Sequence, residues 1–131
     1  MRKTDSNSPD DWLAFARVDL EAIELLSEKE VAYQVCRSRL AECLEKTLKA
    51  ALIRFGWHLI KTHDLVKLCD ELREFSPEIA VIAQPECEAL ADAYFAERYP
   101  GFDLDDPEWP TLVINLASVR RILEMVDRQS G

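Results

Sequence analysis

Apolar residues recur along this chain at steps of three and four, and no run alternates with period two between turn residues, so the chain reads as all-α. The first helical pattern holds Trp12, Ala16, Leu20, Ile23 and Leu26 and fades near Ser27. Ser8, followed by Pro9 at the first helical position and by Asp10 and Asp11, marks its start. A proline there costs no hydrogen bond, and the two acids suit the positive helix end. A longer helix is expected from about Val31 to Phe55, with Tyr33, Leu40, Leu44, Leu48, Ala51 and Phe55 facing inward and Gly56 closing it. Thr62 is the expected cap of a short third helix, with Asp64 in its first turn and Leu65, Leu68 and Leu72 on its inner face.

Ser76-Pro77-Glu78 opens a fourth helix by the same rule. Pro85 is expected to kink or restart it, after which it continues through Leu90, Ala93 and Tyr94 to Tyr99 and stops at Pro100-Gly101. An acidic loop from Phe102 to Pro110 leads to a last helix carrying Leu112, Leu116, Val119, Ile122 and Val126, with Asp106 and Pro107 as its expected cap. Connections this short favour antiparallel neighbours, which gives an up-down bundle of about five helices. Residues 1–8 are expected to form a flexible N-terminal segment, and residues 9–129 a single bundle domain.

A chain of 131 residues is long enough to bury a core without a disulfide or a structural metal. No apolar run approaches the length of a bilayer span, and Met1 to Pro9 lacks the apolar stretch of a signal peptide, so a cytoplasmic protein is expected. Cys36, Cys43, Cys69 and Cys87 form no metal-binding spacing and read as reduced thiols packed in the core. No cofactor or metal is expected. In the loop, Asp103, Asp105, Asp106 and Glu108 offer oxygen ligands but lack the glycine and distal glutamate of a calcium loop.

The formal charge of −9 argues against extended nucleic acid, whose non-specific affinity comes from lysine and arginine on phosphates. That charge is uneven. Residues 29–73 hold 9 basic and 6 acidic side chains between two acidic ends. A mildly basic middle suits a compact anion such as a nucleotide, although the same charges also serve simply to solvate helices.

Five residues stand out as candidate ligand contacts. His63, one of two histidines, sits where a helix begins. It is placed either to meet a phosphate beside exposed backbone N–H groups or to hydrogen-bond a neighbouring carboxylate or tyrosine. Arg98, near the end of its helix, suits a phosphate or that helix's negative end, and Tyr94 lies one turn before it. Lys46 and Lys49 follow Glu42 and Glu45 by four residues, an order that also makes plain surface ion pairs. His58, beside Trp57, has no evident chemical partner and reads as peripheral.

The order of these segments resembles the HEPN domain (higher eukaryotes and prokaryotes nucleotide-binding), in its small stand-alone prokaryotic group. The resemblance rests on Ala16, Asp19-Leu20 and Ala22 in the first helix and on Cys43-Leu44-Glu45-Lys46-Thr47-Leu48-Lys49-Ala50 in the second. It continues with Lys61-Thr62-His63-Asp64-Leu65, then Tyr94 with Arg98-Tyr99-Pro100, and covers roughly residues 12 to 126. It implies an antiparallel helical bundle that commonly forms homodimers. It also implies a nucleotide ligand of the ATP or GTP class, or a minimal nucleotidyltransferase partner in a two-component, toxin–antitoxin-like system.

Ribonuclease members of that family carry an arginine, four to six residues, then a histidine. Here Arg54 precedes His58 by three intervening residues and His63 by eight, and no histidine follows Arg98, Arg120, Arg121 or Arg128. The expected function is therefore non-catalytic binding. The alternatives are a ribonuclease toxin with an atypical pair, His63 with Arg98 across a dimer, and a pure interaction scaffold. Dimerisation is further suggested by Val35, Cys43 and Ile53, apolar residues off the expected inward stripe of the long helix.

Overall fold

The computed structural model describes residues 6–58, 61–94 and 106–129. Its helices are α1 (Pro9–Glu28), α2 (Tyr33–Arg54), α3 (Leu65–Arg73), α4 (Pro77–Leu90) and α5 (Trp109–Arg128), and no strand occurs among the described residues. The chain is an all-α helical bundle. Residues 1–5 of the expected N-terminal segment lie outside the described residues.

Contacts between helices set their directions. Arg54, at the end of α2, reaches Asp10 at the start of α1, and the Val31 amide just before α2 donates to Leu26 near the end of α1. These two helices are antiparallel. Arg17 pairs with Asp127, and Glu24 with Arg120, so α1 and α5 also run in opposite directions. Tyr33 packs edge-on against Trp109 with ring centres 5.2 Å apart, while Arg54 donates to the Val126 carbonyl, which makes α2 and α5 parallel. Gln129 reaches Ser76 before α4, and Arg37 in α2 reaches Ala89 near its end, so α4 opposes both. The long helices thus alternate up and down, with short α3 inside the α2–α4 connection.

α2 is the hub, packing against all four other helices. Leu40, Leu44, Leu48 and Ala51 are buried as expected, but so are Cys43, Ala50 and Leu52, and the polar Ser38, Glu45, Thr47 and Lys49. Burial around most of the cylinder replaces the expected single stripe. It also puts Cys43, expected as a core thiol although off the inward stripe, in the core: its Sγ lies 3.3 Å from the Ala16 carbonyl, where α1 and α2 meet. Phe55 departs from the stripe as well. It is exposed and stacks on Phe75, ring centres 5.3 Å apart.

Helix ends follow local chemistry. Pro9 and Pro77 lie in first turns, where an amide hydrogen would have no helical partner. Gly56, at φ +87°, continues the chain past α2 in the left-handed region that glycine enters freely. Four expectations are corrected. Asp64, not Thr62, caps α3: its Oδ1 accepts from the Lys67 amide, while Thr62 Oγ1 accepts from the Asp64 amide. Glu108, not Asp106 with Pro107, occupies the cap position of α5. α4 runs unbroken through Pro85 and ends at Leu90, with a turn at Ala91 and Asp92 before helical Ala93 and Tyr94. α2 begins at Tyr33 rather than Val31, because Ala32 at its cap adopts φ +56°. The expected stop at Pro100-Gly101 lies outside the described residues.

Candidate functional site

Three separate stretches of chain converge beside the second half of α2. Glu45 and Lys49, one turn apart, present their heads on one side of that helix and are almost wholly buried. Glu45 Oε2 accepts from Lys49 Nζ at 2.9 Å, and Glu45 Oε1 lies 2.8 Å from His63 Nδ1. One carboxylate therefore serves two cationic or polar partners. Two charges taken from water cost several kcal/mol each unless paired and hydrogen-bonded, and this double engagement supplies that compensation. The Lys49 ammonium also sits 5.4 Å from the centre of the Trp12 ring, a cation–π distance.

His63 occupies the residue just before the α3 cap, and its side chain is 51 % exposed. With Glu45 as carboxylate, Nδ1 carries the hydrogen of that bond, and Nε2 is the ring nitrogen left for another partner. One face of the imidazole stacks on Tyr94, with ring centres 4.1 Å apart and planes 19° from parallel. Trp12, Glu45, Lys49, Lys61, Thr62 and His63 enclose an open cavity of about 260 Å³. That is slightly below the size of a pocket that engulfs a whole drug-sized ligand.

Of the five candidate residues, His63, Lys49 and Tyr94 come together here. Lys46 does not. It leaves α2 toward α1 and donates to Asp19 Oδ2 at 2.7 Å, while Arg39 approaches the other oxygen at 3.6 Å. Arg98 lies outside the described residues. The reading of Glu42–Lys46 and Glu45–Lys49 as surface pairs is corrected on both counts. Lys49 is buried, and Lys46 has a partner on a different helix, because α2 is enclosed by its neighbours.

Asp19 is 4 % exposed, and burial raises its carboxyl pKa above the ordinary 3.8 even though Lys46 opposes the shift. Sequence reasoning missed Trp12 as a site residue: an aromatic at an apolar position of α1 carries no mark of what lies across from it. It also paired Glu45 with Lys49 and not with His63. Among the described residues no group of three or more His, Cys, Asp or Glu side chains could hold a metal ion, and no helix is long and apolar enough to cross a membrane.

On this bundle of alternating helices, Trp12, two lysines and the exposed imidazole of His63 border one hollow, and Tyr94 stacks on that imidazole. The chain belongs to the HEPN domain family: the model of that domain matches residues 9–129. The family is one of nucleotide-binding and RNase-like proteins. Comparison with curated proteins and with solved structures gave no significant match.

Proposed function

We propose that this HEPN bundle binds a nucleotide of the ATP or GTP class without chemistry of its own, as a homodimer partnered with a minimal nucleotidyltransferase in a toxin–antitoxin-like pair. The observation that carries the nucleotide part is the cavity bounded by His63, Lys49, Lys61 and Trp12. Trp12 offers a ring to a base. Exposed Lys61 offers a charge to a phosphate, whereas the Lys49 charge is already matched by Glu45. His63 Nε2 adds a hydrogen-bonding edge held in place by Glu45 and Tyr94. The partner enzyme and the two-component role have the family resemblance as their only support.

Calorimetric titration of ATP and of GTP into the protein tests this. Saturable binding is expected, weakened roughly tenfold, or about 1.4 kcal/mol, by Lys61→Ala and similarly by His63→Ala. No saturable binding of either nucleotide would leave the interaction scaffold in its place.

The hydrogen bond from His63 to Glu45 favours one second reading, RNA cleavage with His63 as general base. A carboxylate that orients an imidazole is a recurrent device for proton transfer. RNA cut by the protein and left intact by His63→Ala would put that reading ahead of the binder.

A further inference from the structure

α1 is apolar on two opposite sides. Leu13, Ala16, Leu20 and Ile23 face the core, yet Phe15, Val18 and Leu25 are 66 %, 61 % and 59 % exposed. Asp11, Ala22 and Lys29 are also exposed and complete this outer line. Residues 11, 15, 18, 22, 25 and 29 are separated by alternating steps of four and three, the spacing of a coiled-coil seam. Elsewhere on its surface the same helix carries what a solvated face needs, with Arg17, Glu21 and Glu24 along its border with α5. A contiguous apolar stripe framed by such charges marks an interaction surface.

We infer that the occupant of this stripe is a second copy of α1, laid antiparallel across it. The stripe has opposite charges at its two ends, Asp11 at the start and Lys29 at the finish. In antiparallel register Asp11 faces the second copy's Lys29, Phe15 its Leu25, and Val18 its Ala22, and the two-fold axis repeats each pairing. A parallel arrangement would set Asp11 against Asp11 and Lys29 against Lys29. A two-fold interface must be self-complementary, and this sequence of side chains meets that demand. The inference rests on the homodimer within the proposed function and assigns it a face and a direction.

Sedimentation equilibrium of the full chain across a range of concentrations tests it. A monomer–dimer equilibrium is expected for the wild type. Phe15→Asp and Leu25→Asp should each abolish it, with far-UV circular dichroism unchanged because both positions are exposed. Asp11→Lys and Lys29→Asp should each weaken the dimer roughly tenfold, since every dimer holds two such pairs. The double variant Asp11→Lys/Lys29→Asp should restore wild-type affinity. On oxidation, a mixture of Val18→Cys and Ala22→Cys should cross-link faster than either alone.

A monomer at every concentration would overturn both this face and the homodimer, while the nucleotide titrations judge binding separately. A dimer indifferent to Phe15→Asp and Leu25→Asp would overturn the face and leave the homodimer standing. Faster cross-linking within single variants would overturn the antiparallel direction.

Discussion

Glu45 Oε1 stands 2.8 Å from His63 Nδ1 while the other oxygen of the same carboxylate accepts from buried Lys49. One acid thus ties the long central helix to the segment that precedes α3. Removing it affects both partners unequally. Half-exposed His63 can turn to water, but Lys49, whose side chain is 5 % exposed, cannot. Glu45→Ala should therefore destabilise the fold by about 3 kcal/mol, the cost of stranding one charge of a buried pair. Glu45→Leu combined with Lys49→Met should recover most of that loss. Chemical denaturation of the wild type and these two variants measures both effects.

Glu86, on α4 and 9 % exposed, gives a pH signature. Burial raises its pKa above the ordinary 4.5, with the Ser118 hydroxyl only partly opposing the shift. The folded chain then holds this proton more tightly than the unfolded chain does. Its contribution to stability is fully present below 4.5 and is lost as pH rises through the folded value. Glu86→Gln removes the titration, and Glu86 Oε2 has no hydrogen-bond partner among the described residues to lose. The variant should melt at a higher temperature than the wild type at neutral pH, and the gap should close in acid. A gap that persists or widens in acid would contradict the sign.

The four cysteines should be silent in the native protein. All are buried, and burial moves each thiol upward, Cys43 to about 12 with the neighbouring Asp19 charge adding to the shift. Thiolate is the reactive form, so a thiol-specific reagent at neutral pH should label none of them quickly. Unfolding in denaturant should release all four, and counting labelled thiols under the two conditions checks this.

Much of the fold was legible because its signals are local. Proline in a first turn and glycine just past a helix end have few other meanings, and Pro9, Pro77 and Gly56 all stand where those rules place them. The site was legible only in part. His63 and Tyr94 announced themselves as polar and aromatic residues near helix ends, but Trp12 lies in another helix and Asp19 sits 27 positions from Lys46. Periodicity also misled within α2. A helix packed on every side buries charged residues as well as leucines, so Glu45 and Lys49 looked like an ordinary surface pair.

The link between α1 and α2 hid a strained position of the same kind. Ala32 caps α2 at φ +56°, where a β-carbon crowds the following carbonyl and costs roughly 1 kcal/mol. No glycine marks the spot. Ala32→Gly should relieve that crowding and stabilise the protein by about 0.5 kcal/mol, after the added freedom of the unfolded chain is counted against it. Denaturant midpoints of the two proteins decide the sign.

Asp19 and Lys46 provide the test of how α1 is held to the hub. The aspartate is buried on α1, and burial already raises its pKa above 3.8; the Lys46 ammonium, 2.7 Å away, is the largest influence opposing that rise. Lys46→Met removes both its hydrogen bond and its charge, leaving Arg39 as the remaining cation near that carboxylate. The folded pKa of Asp19 must then rise further, so the variant should be less stable than the wild type at neutral pH. Because the Lys46 side chain is 21 % exposed, the loss should be about 2 kcal/mol, below that of a fully enclosed pair. The deficit should shrink as pH falls toward the ordinary 3.8, where the acid is protonated in both proteins. Adding Asp19→Leu to Lys46→Met should remove the pH dependence and restore stability at neutral pH. A deficit equally large in acid would mean that Lys46 acts through the packing of its methylene stem rather than through its charge.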